Sequence, residues 1–296
     1  MQTSRPVQIL KDILATLIVI VFMFPIFWWS LSSIKPYTAI FNKDGPVYFD
    51  FQPTLQNYEV TLLGKSRIES NLESGGTSGA GGGSSYDSRE TILQSIIVAV
   101  GSTILTIVLS TLASYALSRL PMRGKQHFLF WILSQRFMPP IAAVIPIMFM
   151  FRDMALLDTL TGLIIAHTLI NIPIAVLLLK SFLDDVPKEI DEAAMIDGAT
   201  RLQTFRRIIL PMIKGGVAAT AVLCFIVSWT EFLLSLYLTT SIRTLPVKIS
   251  TFVTSTGTEW GFITALGTSA IVPSFIFILL VQRHLVRGLT LGSLKD

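Results

Sequence analysis

Six long apolar runs limit what this chain can fold into. They cover residues 13–34, 92–117, 128–151, 160–179, 217–238 and 262–281, and they are nearly free of charged side chains. The first holds 22 residues with no charge at all. As a helix it would extend roughly 33 Å, enough to cross the hydrocarbon core of a bilayer. In lipid every backbone N–H and C=O must be bonded within the chain, so runs of this length are read as spanning helices. The expected fold class is therefore all-α: a polytopic membrane protein with six transmembrane helices. Composition agrees. Only 14% of the residues are charged, 51% are hydrophobic, and the mean hydropathy is +0.64, whereas a soluble domain carries about 25% charged residues. The first run is longer than the ~7–15 apolar residues of a cleaved signal peptide. No small-x-small cleavage site follows it, so its retention is expected.

The runs are not uniform. The third carries Arg136 near its middle and prolines at 139, 140 and 146, which predicts a kinked or interrupted helix. The fourth contains His167, Asn171 and Pro173, and the fifth contains Ser228, Thr230 and Glu231. Ionisable groups inside spans cost about 2.5–3.5 kcal/mol each on insertion scales and are functional candidates. Arg136 and Glu231 are the two here. They either pair or line a path, and Asn171 either bonds a solute hydroxyl or satisfies backbone freed by Pro173.

Between the first two runs lies a long polar connection, 35–90. Its stretch 74–85 holds six glycines and four serines in twelve residues, the composition of a flexible linker. No Lys-Ser/Thr follows it, so it is not read as a phosphate-binding loop. Six spans place both termini on one side. That side, with the 119–125 and 180–214 connections, carries fourteen Lys and Arg. The opposite side carries three once the long loop is set aside. By the positive-inside rule the termini are cytoplasmic and 35–90 is external. The chain thus divides into an N-terminus with the first span (1–34), an external loop (35–90), a five-span core (91–285) holding a cytoplasmic loop at 184–211, and a tail (286–296).

The cytoplasmic loop is the most organised polar stretch. Pro187 suits a first helical turn, with Asp184 and Asp185 just ahead of it. Gly198 can supply the left-handed residue that ends a helix. Thr200 and Gln203 have capping-box spacing for a second helix, and Pro211 is expected to mark its end. No catalytic or metal pattern appears elsewhere: His127, His167 and His284 have no ligand spacing, and no nucleotide-binding motif is present. The single cysteine, Cys224, lies in an apolar run. A net charge of +4 gives no reason to expect nucleic acid.

The sequence Glu192-Ala193-Ala194-Met195-Ile196-Asp197-Gly198-Ala199, closed by Leu210-Pro211, resembles the EAA loop of permease subunits in bacterial ATP-binding-cassette importers. Gln282-Arg283-His284-Leu285-Val286-Arg287-Gly288-Leu289-Thr290 looks like the C-terminal signature of the sugar-type permeases. Trp229-Thr230-Glu231-Phe232 is similar to their Trp-Asn-Glu-Phe, with Thr230 in place of the asparagine. The resemblance implies an inner-membrane importer subunit for a sugar, polyol or related hydroxylated solute. It implies three partners besides membrane lipid: a second permease subunit, an ATPase dimer and an external solute-binding protein. ATP and Mg²⁺ would be held by the ATPase, with no cofactor on this chain. The loop would couple to that ATPase through Glu192, Ala193, Ala194, Met195, Asp197, Gly198, Leu210 and Pro211. The alternative is a gradient-driven transporter or channel. It would need its own ion site, for which Arg136 and Glu231 are thin material.

Overall fold

The computed structural model describes residues 5–42, 45, 47–65, 86–255 and 257–291. The Gly/Ser stretch 74–85 lies outside the described residues. Their regular structure is helical apart from one pair of two-residue strands, β1 (Val253–Thr254) and β2 (Gly257–Thr258). Among the described residues four helices are long and apolar enough to cross a membrane: Pro6–Ser33, Arg89–Arg119, Leu160–Asp184 and Trp260–Gln282. Two bent pairs bring the number to six if each pair is one span. These are Lys125–Phe137 with Pro140–Asp153, bent by 101°, and Arg201–Met212 with Lys214–Trp229, bent by 76°.

The chain forms two compact units: residues 1–90 with 248–271, and residues 91–247 with 272–296. In the first, α1 (Arg5–Ser33) is followed by α2 (Tyr37–Ile40) and α3 (Gln56–Leu62). The apolar window of α1 has none of its residues buried, which suits a helix bathed in lipid. Its end is tied to α3: the Asn57 amide donates to the carbonyls of Ser33 at 2.8 Å and Lys35 at 3.0 Å.

The second unit is built around α4 (Arg89–Arg119) and α7 (Leu160–Asp184). One face of α4 buries Thr91, Ser95, Ser102, Thr106, Ser110, Ser114 and Ser118 at helical spacing. Leu93, Ile97, Ile104, Val108 and Leu112 on its other side are exposed. This inverts a soluble helix, and lipid explains it. Lipid tails give apolar groups no incentive to hide, so small residues and hydroxyls that allow close approach occupy the interface. Ser114 accordingly donates to the Val176 carbonyl of α7 at 3.0 Å.

The third run breaks where its prolines dictate. It forms α5 (Lys125–Ser134), a 3₁₀ turn (Gln135–Phe137) and α6 (Pro140–Asp153). Met138 and Pro139 each precede a proline, and both are extended, with ψ of 127° and 124°; helical geometry is disfavoured at such positions. Beyond α6, Asp158 accepts from the backbone N–H groups of Thr240, Ser241 and Ile242 and from the hydroxyls of Thr240 and Ser241. The Ser241 hydroxyl, then these backbone donors, hold its carboxyl well below the usual carboxylate range.

Two expectations need correction. Residues 217–238 do not form one helix: α11 (Lys214–Trp229) stops, and α12 (Leu233–Leu238) begins after a break at Thr230–Phe232. Pro211 does not end its helix either. The chain runs from α9 (Arg201–Thr204) through a π-helical turn (Phe205–Ile209) into α10 (Leu210–Met212), and Leu210 is helical at φ −58°, ψ −43°. The wider π turn, in which the Leu210 N–H reaches back to the Phe205 carbonyl, makes room for the proline ring. The bend comes two residues later, at Ile213.

Candidate functional site

Two regions hold the candidate residues. The first is the helical hairpin formed by α8 (Lys188–Ile196) and α9. Pro187 precedes α8, and Glu189 and Asp191 lie in its first turn, where negative charge suits the positive helix end. Gly198 takes φ +86° and turns the chain. Thr200 and Gln203 complete both bonds of a capping box: the Thr200 N–H donates to Gln203 Oε1 at 2.8 Å, and the Gln203 N–H donates to Thr200 Oγ1 at 3.3 Å.

The hairpin has two distinct faces. Glu192, Ala193, Met195 and Asp197 are exposed, and Ile196 is 86% exposed. Ala194 and Asp191 are buried. Beneath them lies an apolar cluster of Leu183, Val186, Ile209 and Ile213. Leu210 is half-buried and Pro211 exposed. Glu192, Ala193 and Met195 therefore share an outward surface, whereas Ala194 belongs to the inner face.

Sequence reasoning missed the residue that anchors that inner face. Asp191 forms an ion pair with Arg119, Nε to Oδ2 at 2.8 Å, with side chains only 5% and 8% exposed. The signal was available: Asp191 lies three residues before Ala194, on the same side of an amphipathic helix, and a carboxylate there requires a partner.

The second region is a cavity of about 480 Å³ beside the break between α5 and α6. Its lining includes Gln135, Arg136, Pro173, Glu231 and Phe232. Arg136 and Glu231 thus border one space, but they do not pair. Among the described residues the Arg136 guanidinium donates to the Ile170 carbonyl, at 3.5 Å. Glu231 faces His167 Nε2 at 3.3 Å and accepts from the Leu234 and Ser235 N–H groups at 2.7 and 3.1 Å. Its carboxylate therefore caps α12 and satisfies the backbone opened by the break. Thr230 donates to the Ile226 carbonyl.

Asn171 does not line the cavity. It is fully buried and donates to the His167 carbonyl and to Ser228 Oγ, both at 2.9 Å. Ser228 in turn meets Ser102 of α4 at 2.9 Å. His167 and Asn171 each keep one buried polar atom with no hydrogen-bond partner among the described residues, Nδ1 and Oδ1. A hydroxyl-rich polar seam thus joins α4, α7 and α11 behind the cavity wall. His167 stood out in the sequence only as a histidine in a span; its partner Glu231 is 64 positions away and gave no local signal.

Comparison with known proteins fits this arrangement. Residues 112–291 match the family described as the binding-protein-dependent transport system inner membrane component. The sulfoquinovosyl glycerol transport system permease protein SmoH of Agrobacterium fabrum is 32% identical over 289 residues, covering 97% of this chain and 93% of that protein. The trehalose/maltose transport system permease protein MalG of Thermococcus litoralis is 31% identical over 295 residues, covering 97% and 98%. A chain from the crystal structure of a bacterial ABC transporter that imports the acidic polysaccharide alginate has the same fold. Its TM-score is 0.68 at 21% identity, over 96% of this chain and 99% of that one.

Proposed function

Because this chain belongs to the family of binding-protein-dependent transport system inner membrane components, we propose that it is one of two permease subunits of an ATP-driven importer for a sugar, polyol or related hydroxylated solute. A separate ATPase dimer hydrolyses ATP with Mg²⁺, and an external binding protein delivers the solute. Both termini and the 184–211 loop are cytoplasmic, and 35–90 faces outward; the Lys/Arg asymmetry supports this orientation.

The observation that carries the reading is the two-faced hairpin. Its outward face combines the Glu192 charge, the small Ala193 and the flexible Met195, a set suited to a groove on another subunit. Its inward face is fixed by Asp191 and Ala194. Gly198 sets the angle between the two helices, and Leu210-Pro211 leads the chain back toward α11. The cavity bordered by Arg136 and Glu231 is this subunit's share of the translocation path. Asn171 braces it from behind through Ser228.

Purification in mild detergent tests the proposal. An ATPase subunit should accompany this chain, and its activity should rise on adding the solute-loaded binding protein. A chain that purifies without an ATPase, yet still transports in vesicles under an ion gradient, would refute it.

A further inference from the structure

The outward face of the hairpin accounts for docking but not for how motion leaves it. The last turn of α4 grips the hairpin at several points. Arg119 Nε bonds Asp191 Oδ2 at 2.8 Å, and its Nη2 bonds the Val186 carbonyl at 2.8 Å. Tyr115, one turn earlier, donates to Asp191 Oδ1 at 3.3 Å. Its ring also packs on Phe205 of the π turn, with centroids 4.7 Å apart. Ser118 donates to Asp184 Oδ1 at the end of α7, at 2.6 Å. One helical turn therefore touches α8, the approach to α8, the π turn and α7.

The chemistry of this contact is specific. The apolar cluster below also packs the hairpin against the membrane domain, but apolar packing is non-directional. A planar guanidinium bonded to a carboxylate and a carbonyl fixes orientation as well as distance. Burying the pair is costly and gives no dependable gain in stability. Its position is also mechanical. Asp191 is adjacent in sequence to Glu192, so a push on the outward face reaches Arg119 across a single helix.

The helix that receives the push is suited to passing it on. Two candidate spans among the described residues are bent pairs, but α4 runs unbroken for 31 residues. From Arg119 to Ser102 is roughly 25 Å along a helix. Ser102 bonds Ser228, which lies three residues before the cavity residue Glu231.

We infer that the Arg119–Asp191 pair is the joint through which displacement of the hairpin is carried into α4 and so to the polar seam behind the cavity. Both are positioning residues, and the inference rests on the importer reading above.

The test uses the complete complex in lipid nanodiscs and in proteoliposomes. Variants are Asp191→Asn, Arg119→Lys, which keeps the charge but loses the fork, and the exchange Arg119→Asp with Asp191→Arg. In the two single variants the ATPase should remain bound as in the wild type. The number of solutes imported per ATP should fall about tenfold, as expected for loss of an ordinary inter-site coupling energy, and stimulation by loaded binding protein should fall with it. The exchange variant should recover part of both. Wild-type coupling in Asp191→Asn and Arg119→Lys at equal protein amounts would overturn the inference. So would loss of the ATPase from both, which would make the pair a staple for the docking surface. A wild-type complex that never contained an ATPase would instead overturn the importer reading.

Discussion

Gly198 offers the sharpest perturbation of the hairpin because its backbone and its surroundings can be separated. Its φ is +86°, and a Cβ built there meets no atom of the described residues within 4 Å. Substitution therefore costs only the backbone conformation. For an ordinary L-residue that cost is about 1–2 kcal/mol. It is larger for a β-branched side chain, for which positive φ is an outlier, and smaller for asparagine, which tolerates the region. A strain of about 1–2 kcal/mol changes a two-state ratio by a factor of about 5–30. If the turn relaxes to negative φ to escape it, the angle between α8 and α9 changes and the outward face no longer fits its groove. Solute uptake in proteoliposomes, at matched amounts of assembled complex, should fall in the order Gly198, Gly198→Asn, Gly198→Ala, Gly198→Val, with the valine variant near background. The asparagine variant is the discriminating one, since it is larger than alanine but conformationally easier. If alanine transports better than asparagine, side-chain bulk against a partner is the cause and the φ argument fails. Wild-type uptake in Gly198→Val would refute the role of the turn altogether.

Three further outcomes follow from the geometry. Asp158 has a depressed carboxyl pKa, so the stability it contributes is complete above the unfolded value of about 3.9 and is lost as the pH falls below it; thermal unfolding of Asp158→Asn should show a deficit at pH 7 that narrows on acidification, and a constant gap would contradict the assignment. A Cβ on Gly216 would sit 2.3 Å from the Phe182 ring, so Gly216→Val should sharply reduce folded protein in the membrane and Gly216→Val with Phe182→Ala should recover part of it; full yield of the single variant would show that the α7–α11 contact is looser than described. Arg136 and Glu231 have separate bonding partners, so the losses in thermal stability from Arg136→Ala and Glu231→Ala should add within about 0.5 kcal/mol, and a coupling well above that would show that the two charges interact.

The sequence was legible where the controlling interactions are local. Apolar run length gave the four unbroken spanning helices but not the break at 230–232 in the fifth run. The 139–140 prolines gave the break in the third run, and Thr200 with Gln203 gave the cap that starts α9. Pro211 misled because the rule for a residue before proline assumes an ordinary helix, and the π turn at Phe205–Ile209 removes the clash. Glu231 left two readings open, pairing with Arg136 or lining a path, for a different reason. A carboxylate in a span suggests a basic partner, and Arg136 was the obvious one. The structure uses His167, two backbone N–H groups and the Ser235 hydroxyl instead. Arg119 and Asp191 are 72 positions apart, and nothing in either local pattern joins them. Only the packing of α8 under α4 brings them together.

On the proposed function, the outward face of the hairpin meets a separate ATPase. Single cysteines at Ala193, Ala194 and Met195, each in a Cys224→Ser background, allow that face to be mapped with a short cysteine-to-lysine cross-linker in the assembled complex. Ala193 and Met195 are exposed and Ala194 is 6% exposed. Positions 193 and 195 should form an adduct with the ATPase subunit, and position 194 little or none. An ATPase that co-purifies but reacts equally at all three positions, or at none, would contradict that reading.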